Sequence, residues 1–497
     1  KALAKNYLSQ YMHKVLFEEE DHLAVPNVAA FSKTHKCPVM MALADSGIKS
    51  YYAAPVVFQG EVFGVMEIGS ENKGALHSAK RIQIEELMPI IGIAAKRFLE
   101  EHDNRVEAII QSEFTTIHPA VKWRFEAEAE KLILAEFMSE ECEIDKIVFK
   151  DVIPLFGQLD IRSSSIIRNE GIKNDLQTQL EGASMVLKIA NEEQSMPLYE
   201  EMIHVLESHH QQLEQDMVSA SEQDILRFMR LEVEPVLDHL TSRSHTLAKA
   251  TKRYKSLLDS DLGFVYKERK SFDNSVNTVN KVLSRYVDAK QVEAQAMFPH
   301  HFERYATDGL EFNMYIGESI SPGKGYHPML VKNLRLWQLI VMIEMERNYH
   351  EVKQNLDKPL SVASLILAHS TPLAIQYRMD EKQFDVEGAY NVRYEIIKKR
   401  IDKAHIKGTD IRITEPGKIV VVYATDAEEM EYLRYFRYLQ SKGYISKSDP
   451  EIVLLEDLQG VSGLRAIRCG INYSEERENS ELSMEEIISE IEGKAII

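Results

Sequence analysis

The sequence predicts an α+β multidomain chain: an antiparallel sheet with flanking helices first, a large all-α middle region next, and a small α/β domain near the end. Three observations carry this expectation. Residues 51–68 hold two β-rich runs joined by a short glycine-containing link. From His118 to about Lys358 the chain is rich in Glu, Gln, Lys, Leu and Met, with few Gly or Pro, a composition that favours helix. After Pro359 apolar residues return to an alternating, strand-like spacing. The 497 residues are enough for about two to four domains, and the boundaries expected are 1–105, 106–358, 359–474 and an acidic tail over 475–497. An apolar content of 44% argues against a disordered or fibrous chain.

The first domain begins with a helical pattern in which Leu3, Tyr7, Leu8, Tyr11 and Val15 recur at helical spacing, closed by Glu18, Glu19, Glu20 and Asp21. Pro26 interrupts the apolar run from Leu23 to Phe31, which marks an edge strand or loop. Asp45-Ser46-Gly47 is a turn signal. The runs Tyr51–Phe58 and Val62–Ile68 flank Gln59-Gly60-Glu61 and read as a β-hairpin, with a bulge or close backbone approach at Gly64. A helical pattern follows from Ser78 through Ile84, Leu87, Ile91, Ala95 and Phe98 towards Phe114. Pro89 should kink it or mark a start.

Breaks at Pro154 to Gly157, Gln194 to Pro197, Asp259 to Gly263 and Ser319 to Pro328 divide the middle region into helices of bundle length. Beyond Pro359, Ile375, Tyr377 and Met379 alternate as in a strand, and Tyr390, Tyr394, Ile397 and Ile401 mark one face of a helix over Ala389–His405. Ile411–Thr414 and Ile419–Tyr423 flank Glu415-Pro416-Gly417-Lys418, a type II turn sequence, and read as a hairpin. A helix over Ala427–Lys442 should end at Gly443, and Ile452–Leu455 and Leu464–Ile471 supply the last strands.

Leu43, Gly47-Ile48-Lys49-Ser50, Ala54-Pro55-Val56-Val57, Gly60-Glu61-Val62-Phe63-Gly64-Val65-Met66-Glu67-Ile68 and Ser70 together resemble the second half of a GAF domain. The following helix is similar to the one that leaves such domains. The resemblance covers residues 1–105 and implies a central antiparallel sheet and a regulatory module that senses a small molecule or dimerises through its terminal helices. Asn72-Lys73 matches a pair found in cyclic-nucleotide-binding relatives. Leu76 stands near their Phe position, however, and Lys80-Arg81 replaces their acidic pair, which speaks against cyclic nucleotides.

The formal net charge of −19 disfavours a broad grip on nucleic acid or anionic lipid. The three cysteines are far apart, which excludes a disulfide framework and fits a reducing, cytoplasmic setting. No apolar run is long enough to span a membrane, and no motif calls for a cofactor. Glu201 and His204 have the Glu-x-x-His spacing of bundle metal sites, but a core stripe through Met202, Val205 and His209 turns His204 towards water. His118-Pro119 reads as a helix boundary.

Two polar clusters remain as ligand-binding candidates. Asp160, Arg162, Ser163, Ser164 and Arg168 place hydroxyls and guanidinium groups at a helix start, where free backbone N–H groups and the helix dipole favour an anion. Asp308 and Glu311, with Gly317-Glu318-Ser319, form the other. The function expected is a non-catalytic sensor that binds a small molecule or homodimerises and relays its state along the helix leaving the first domain. Two alternatives stand beside it: an enzyme whose site forms between the helical and α/β domains from Asp160, Arg162, Arg168, Asp308 and Glu311, and an adaptor that captures proteins through its acidic tail or an apolar patch.

Overall fold

The computed structural model describes residues 7–215, 219–387, 392–458 and 461–473; the acidic tail expected over 475–497 lies outside them. The chain forms two compact units. One comprises the residues up to Ile117 with Trp123–Asp145, and the other His118–Lys122 with the described residues from Lys146 onward.

In the first unit β1 (Leu23–Val25), β2 (Ser50–Phe58) and β3 (Glu61–Ser70) form an antiparallel sheet in that order. The predicted hairpin is β2–β3. Its register shifts where Val56 faces Gly64 and Val57 faces Val62, the bulge expected at Gly64. Tyr51 and Ala53 are buried with Met12, Leu16, Leu23, Val25, Val28 and Met40. Asn27 caps the helix Val28–Thr34, its side chain accepting from the Ala30 N–H at 3.3 Å.

The helix leaving this sheet departs from the expected rod. Arg81–Glu85 is a separate short helix, and Pro89 lies in the first turn of Met88–Ile109, where proline costs no hydrogen bond. Ile110–Phe114 ends it in a π-type turn. The chain then doubles back as the helix Pro119–Met138, with Phe114 edge-on to Phe125 at 4.9 Å and Arg105 paired to Glu136 at 2.5 Å. The cause is local: a residue before proline is biased out of helical geometry, so the run-up to Pro119 cannot continue the helix. His118 Nδ1 accepts from the Ala120 N–H at 3.3 Å, in keeping with a helix boundary.

The middle region is not all-α. β4 is a strand of 14 residues, Val148–Ile161, and β5 (His301–Thr307) and β6 (Gly309–Ile316) make a hairpin beside it. Pro154 and Gly157 read as a break in sequence but lie inside β4. Pro154 falls in the gap where β4 changes neighbours, since Val152 faces Leu373 and Phe156 faces Leu367, so its missing N–H interrupts no ladder there. A side chain at Gly157 would meet the Phe312 ring at 2.8 Å and Met342 Sδ at 3.1 Å.

The remaining strands come from beyond residue 358, so the expected boundary at 358/359 does not separate two folds. β7 (Val362–Leu367), β8 (Leu373–Arg378), β9 (Gln383–Val386), β10 (Lys418–Tyr423), β11 (Glu451–Leu454) and β12 (Arg465–Gly470) join β4–β6 in one nine-stranded sheet. Its main path is β11-β12-β10-β7-β4-β6-β5, with β8–β9 attached to the early part of β4. β10 is not paired with 411–414. The turn before it forms, with Gly417 at φ +80° and Lys418 N–H bonded to Glu415 O at 3.1 Å. The neighbours of β10 are β7, parallel, and β12, antiparallel. Residues 405–412 bridge among themselves and to Leu455.

One sheet face carries Leu155, Leu159, Ile161, Leu310, Phe312, Ile419, Val421 and Ile467 into the main core. They pack with residues of three helices: Glu268–Met297 (Phe272, Val279, Leu283), Pro328–Val352 (Leu334, Met342, Met345) and Asp426–Ser441 (Tyr432, Phe436, Leu439). Thr425 and Glu428 form a capping box on the last of these, and Gly443 follows its end at φ +76°. Between β4 and β5 the chain makes a helical excursion whose own core includes Leu180, Leu187, Met202, Leu206, Leu237 and Tyr254.

Glu346, 1% exposed on the helix Pro328–Val352, ties that helix to the sheet. Its carboxyl accepts from Ser364 Oγ, from the Gly417 N–H at 2.7 Å and from Tyr473 OH at 3.1 Å. Burial outweighs these donors and pushes its pKa up from 4.5 to about 7. The folded chain then holds a proton that the unfolded chain releases. Stability should therefore fall as pH rises from about 4.5 to about 7 and stay level above that, by on the order of 3 kcal/mol for this group. Urea midpoints of the wild type and Glu346→Gln measured across that range test this: the wild-type curve should lose stability relative to the variant, and parallel curves would refute the assignment.

Candidate functional site at the end of β4

The site grows from the strand that the sequence hid. β4 ends with Asp160 opposite Gly309 of β6, and Gln158 two residues earlier faces Glu311. Because strand side chains alternate, Gln158, Asp160 and Glu311 share the face turned away from the main core. The Arg162 N–H donates to Ser361 O at 2.7 Å, fixing the exit of the strand against the start of β7. Ser163 then adopts the left-handed region at φ 57°, and the helix Ser164–Glu193 begins without a side-chain cap from Ser163.

The charges are arranged in layers. Arg168, in the first turns of that helix, pairs with Asp308 in the β5–β6 turn at 2.5 Å and lies over the Phe272 ring at 5.2 Å. Burial raises the Asp160 carboxyl to about 6, the negative charges of Asp402 and Asp308 add to the rise, and Arg412 and Lys403 oppose it. Burial likewise raises Glu311, where Glu395 and Asp402 reinforce it against Lys398 and Lys399, and it raises Asp402 itself. These acids are therefore biased towards their neutral forms.

Beside Arg162 opens a cleft of roughly 640 Å³, walled by the 405–415 loop and by β11 and β12. Arg162 Nη1 donates to Thr414 O at 3.2 Å. Arg468, 3% exposed, is neutralised by Glu415 and by Glu451, the latter at 3.6 Å. His405 is occupied by Glu456 at 3.0 Å. Among the described residues neither Arg162 nor Arg412 has an ion-pair partner. The arrangement offers two guanidinium groups to an anion beside a carboxyl able to exchange a proton near neutrality.

All seven candidates, Asp160, Arg162, Ser163, Ser164, Arg168, Asp308 and Glu311, come to this end of β4, joining what the sequence offered as two separate clusters. They belong to one unit, not to an interface between a helical and an α/β domain. Gly317-Glu318-Ser319 does not join them. It follows the far end of β6, where Ser319 Oγ donates to Lys150 O at 2.5 Å and Glu318 accepts from the Gly323 N–H at 2.9 Å. Sequence reasoning misses Asp402 and Lys403, which lie in the helix expected over Ala389–His405 outside the residues of its apolar face, and Arg412, which falls in the strand expected over Ile411–Thr414. The only trace they leave in the sequence is the local density of charge between 398 and 412. His204 is exposed, as its place opposite the core stripe predicted. Among the described residues no group of three His, Cys, Asp or Glu side chains is placed to hold a metal ion, and no helix is long and apolar enough to cross a membrane.

No protein-family model matches the chain, and no curated protein matches it. Among solved structures, the crystal structure of the guanylyl cyclase Cya2 aligns with 43% of this chain and 86% of its own, at 15% identity and a TM-score of 0.24. A score of that size assigns neither a fold family nor an activity.

Proposed function

We propose that this chain is a regulatory protein that binds a small anionic ligand, such as one bearing a phosphate, in the cleft at the end of β4. Arg162 and Arg412 are its grips. The supporting observation is that these two guanidinium groups line one cleft without an ion-pair partner among the described residues, while burial holds the nearby Asp160 and Asp402 carboxyls above their ordinary range, so that they give up their negative charge more readily as pH falls. A left-handed serine costs about 1 kcal/mol, a strain that frequently accompanies ligand sites. We read the first unit as a GAF-like module, on the support of the β2–β3 hairpin with its bulge at Gly64. Regulation requires that the ligand prefer one of two conformations of the chain.

Titration calorimetry with pyrophosphate tests the binding. The wild type should bind, and Arg162→Ala and Arg412→Ala should each weaken it about 10-fold or more, since a charge-assisted contact is worth roughly 1.5–3 kcal/mol. No heat from the wild type at millimolar pyrophosphate overturns the reading. The raised pKa of Asp160 favours a second reading, an enzyme in which this carboxyl moves a proton on the bound anion. Phosphate release from pyrophosphate, lost in Asp160→Asn while binding is retained, would select that reading.

A further inference from the structure

A second cleft, of roughly 400 Å³, is built wholly from the helical excursion, between the helices Ser164–Glu193 and His245–Lys255. That volume falls in the range of about 300–1,000 Å³ typical of small-molecule sites. Its floor is apolar: Gly182, Met185 and Ile189 from one helix, Ala250 and Tyr254 from the other, and Leu257 just beyond. Gly182 shapes it, because a β-carbon there would stand 3.0 Å from the Tyr254 ring. Met185 and Leu257 remain 54% and 41% exposed, so apolar surface is left open to water beside a well-buried helical core.

The rim is charged. Lys249 and Arg253 line the cleft from positions one helical turn apart. Among the described residues neither has an ion-pair partner. Glu181, the acidic residue of the lining, is held by His210 Nε2 at 3.1 Å. An apolar floor under two unpaired cations is complementary to a molecule with an apolar body and an anionic head.

We propose that this cleft binds a small amphipathic anion of the medium-chain carboxylate class. The alkyl chain lies along Met185, Ile189 and Leu257, and the carboxylate sits between Lys249 and Arg253. This site shares no residue with the cleft at the end of β4.

Titration calorimetry of the full chain with decanoate tests it. Decanoate should bind the wild type with a sub-millimolar Kd, and dodecanoate should bind several-fold more tightly as two more methylenes are buried. The double variant Lys249→Glu/Arg253→Glu, at exposed positions where substitution should leave the fold intact, should weaken decanoate at least 10-fold. Its circular dichroism and its response to pyrophosphate should match those of the wild type. Decyltrimethylammonium should bind the wild type at least 10-fold more weakly than decanoate. The proposal is overturned if decanoate at 1 mM does not bind. It is also overturned if the charge-reversed variant binds it equally, as adsorption on another apolar surface would give, or if the cationic amphiphile binds as well.

Discussion

Gly309→Ala should destabilise the second unit by on the order of 3–5 kcal/mol, the upper range for a single substitution. Gly309 opens β6 at φ +127°, a backbone conformation that L side chains rarely adopt. A β-carbon there would lie 2.2 Å from Leu159 O, 3.0 Å from Asp160 Cα and 3.2 Å from Ile161 N. Those atoms are backbone of a central strand and cannot swing aside as a side chain can. Relief requires the β5–β6 turn to separate from β4, which would break the Ile161 N–H to Asp308 O bond of 3.0 Å and disturb the Asp160–Asp308–Arg168 arrangement. Gly323→Ala is the internal comparison. Its φ is +72°, but nothing lies within 4 Å of an added β-carbon, so only about 1 kcal/mol of backbone strain is expected. Urea unfolding of both variants checks the pair, and equal midpoints would show that the close approach is not as described.

Asp175→Ala should cost a comparable amount, on the order of 3–5 kcal/mol. Asp175 is 1% exposed on the helix Ser164–Glu193 and works at a distance in sequence. Its Oδ1 accepts from the Lys267 and Glu268 N–H groups at 3.2 and 2.9 Å, and its Oδ2 from Arg269 N–H at 3.0 Å. It thereby caps the helix Glu268–Met297, whose Phe272, Val276, Val279 and Leu283 form part of the main core. A carboxylate at a helix start also meets the positive end of the dipole. Alanine would leave buried donors without acceptors and remove the charge facing Arg269, whose Nε lies 3.7 Å away. Asp175→Asn, which keeps one acceptor oxygen, should lose only about 1–2 kcal/mol. Hydrogen exchange at Lys267, Glu268 and Arg269 should rise in the alanine variant before the core opens. Unchanged protection would refute the capping role.

The candidate site shows how far the sequence reaches. Residues that carry their reason locally were legible. Gly64 sits in the bulge, Pro89 opens a helix, Gly417 makes its turn at positive φ, and Thr425 with Glu428 starts Asp426–Ser441. The polar character of Asp160, Arg162, Arg168, Asp308 and Glu311 was also visible. Their proximity was not, because it depends on β4 and β6 pairing across about 150 residues of intervening chain, a contact that no local periodicity encodes. β4 was itself misread. It is buried on both faces and runs through Pro154 and Gly157, so it shows neither clean alternation nor uninterrupted strand formers.

Arg412 and Asp402 were lost for the same reason. Each is an ordinary surface residue by its neighbours in sequence, and each acquires meaning only from Asp160. By itself the sequence determined the hairpin of the first unit, the helices with strong amphipathic faces, the capping and turn residues, and which polar side chains were available. The tertiary structure alone decided that strands from both halves of the chain share one sheet, that the rod after β3 folds back at Pro119, and that two polar clusters far apart in sequence meet at one strand end. The division is physical: short-range terms such as propensity, capping and turn strain act within a few residues, whereas strand pairing and burial of charge are set by which distant segments exclude water together.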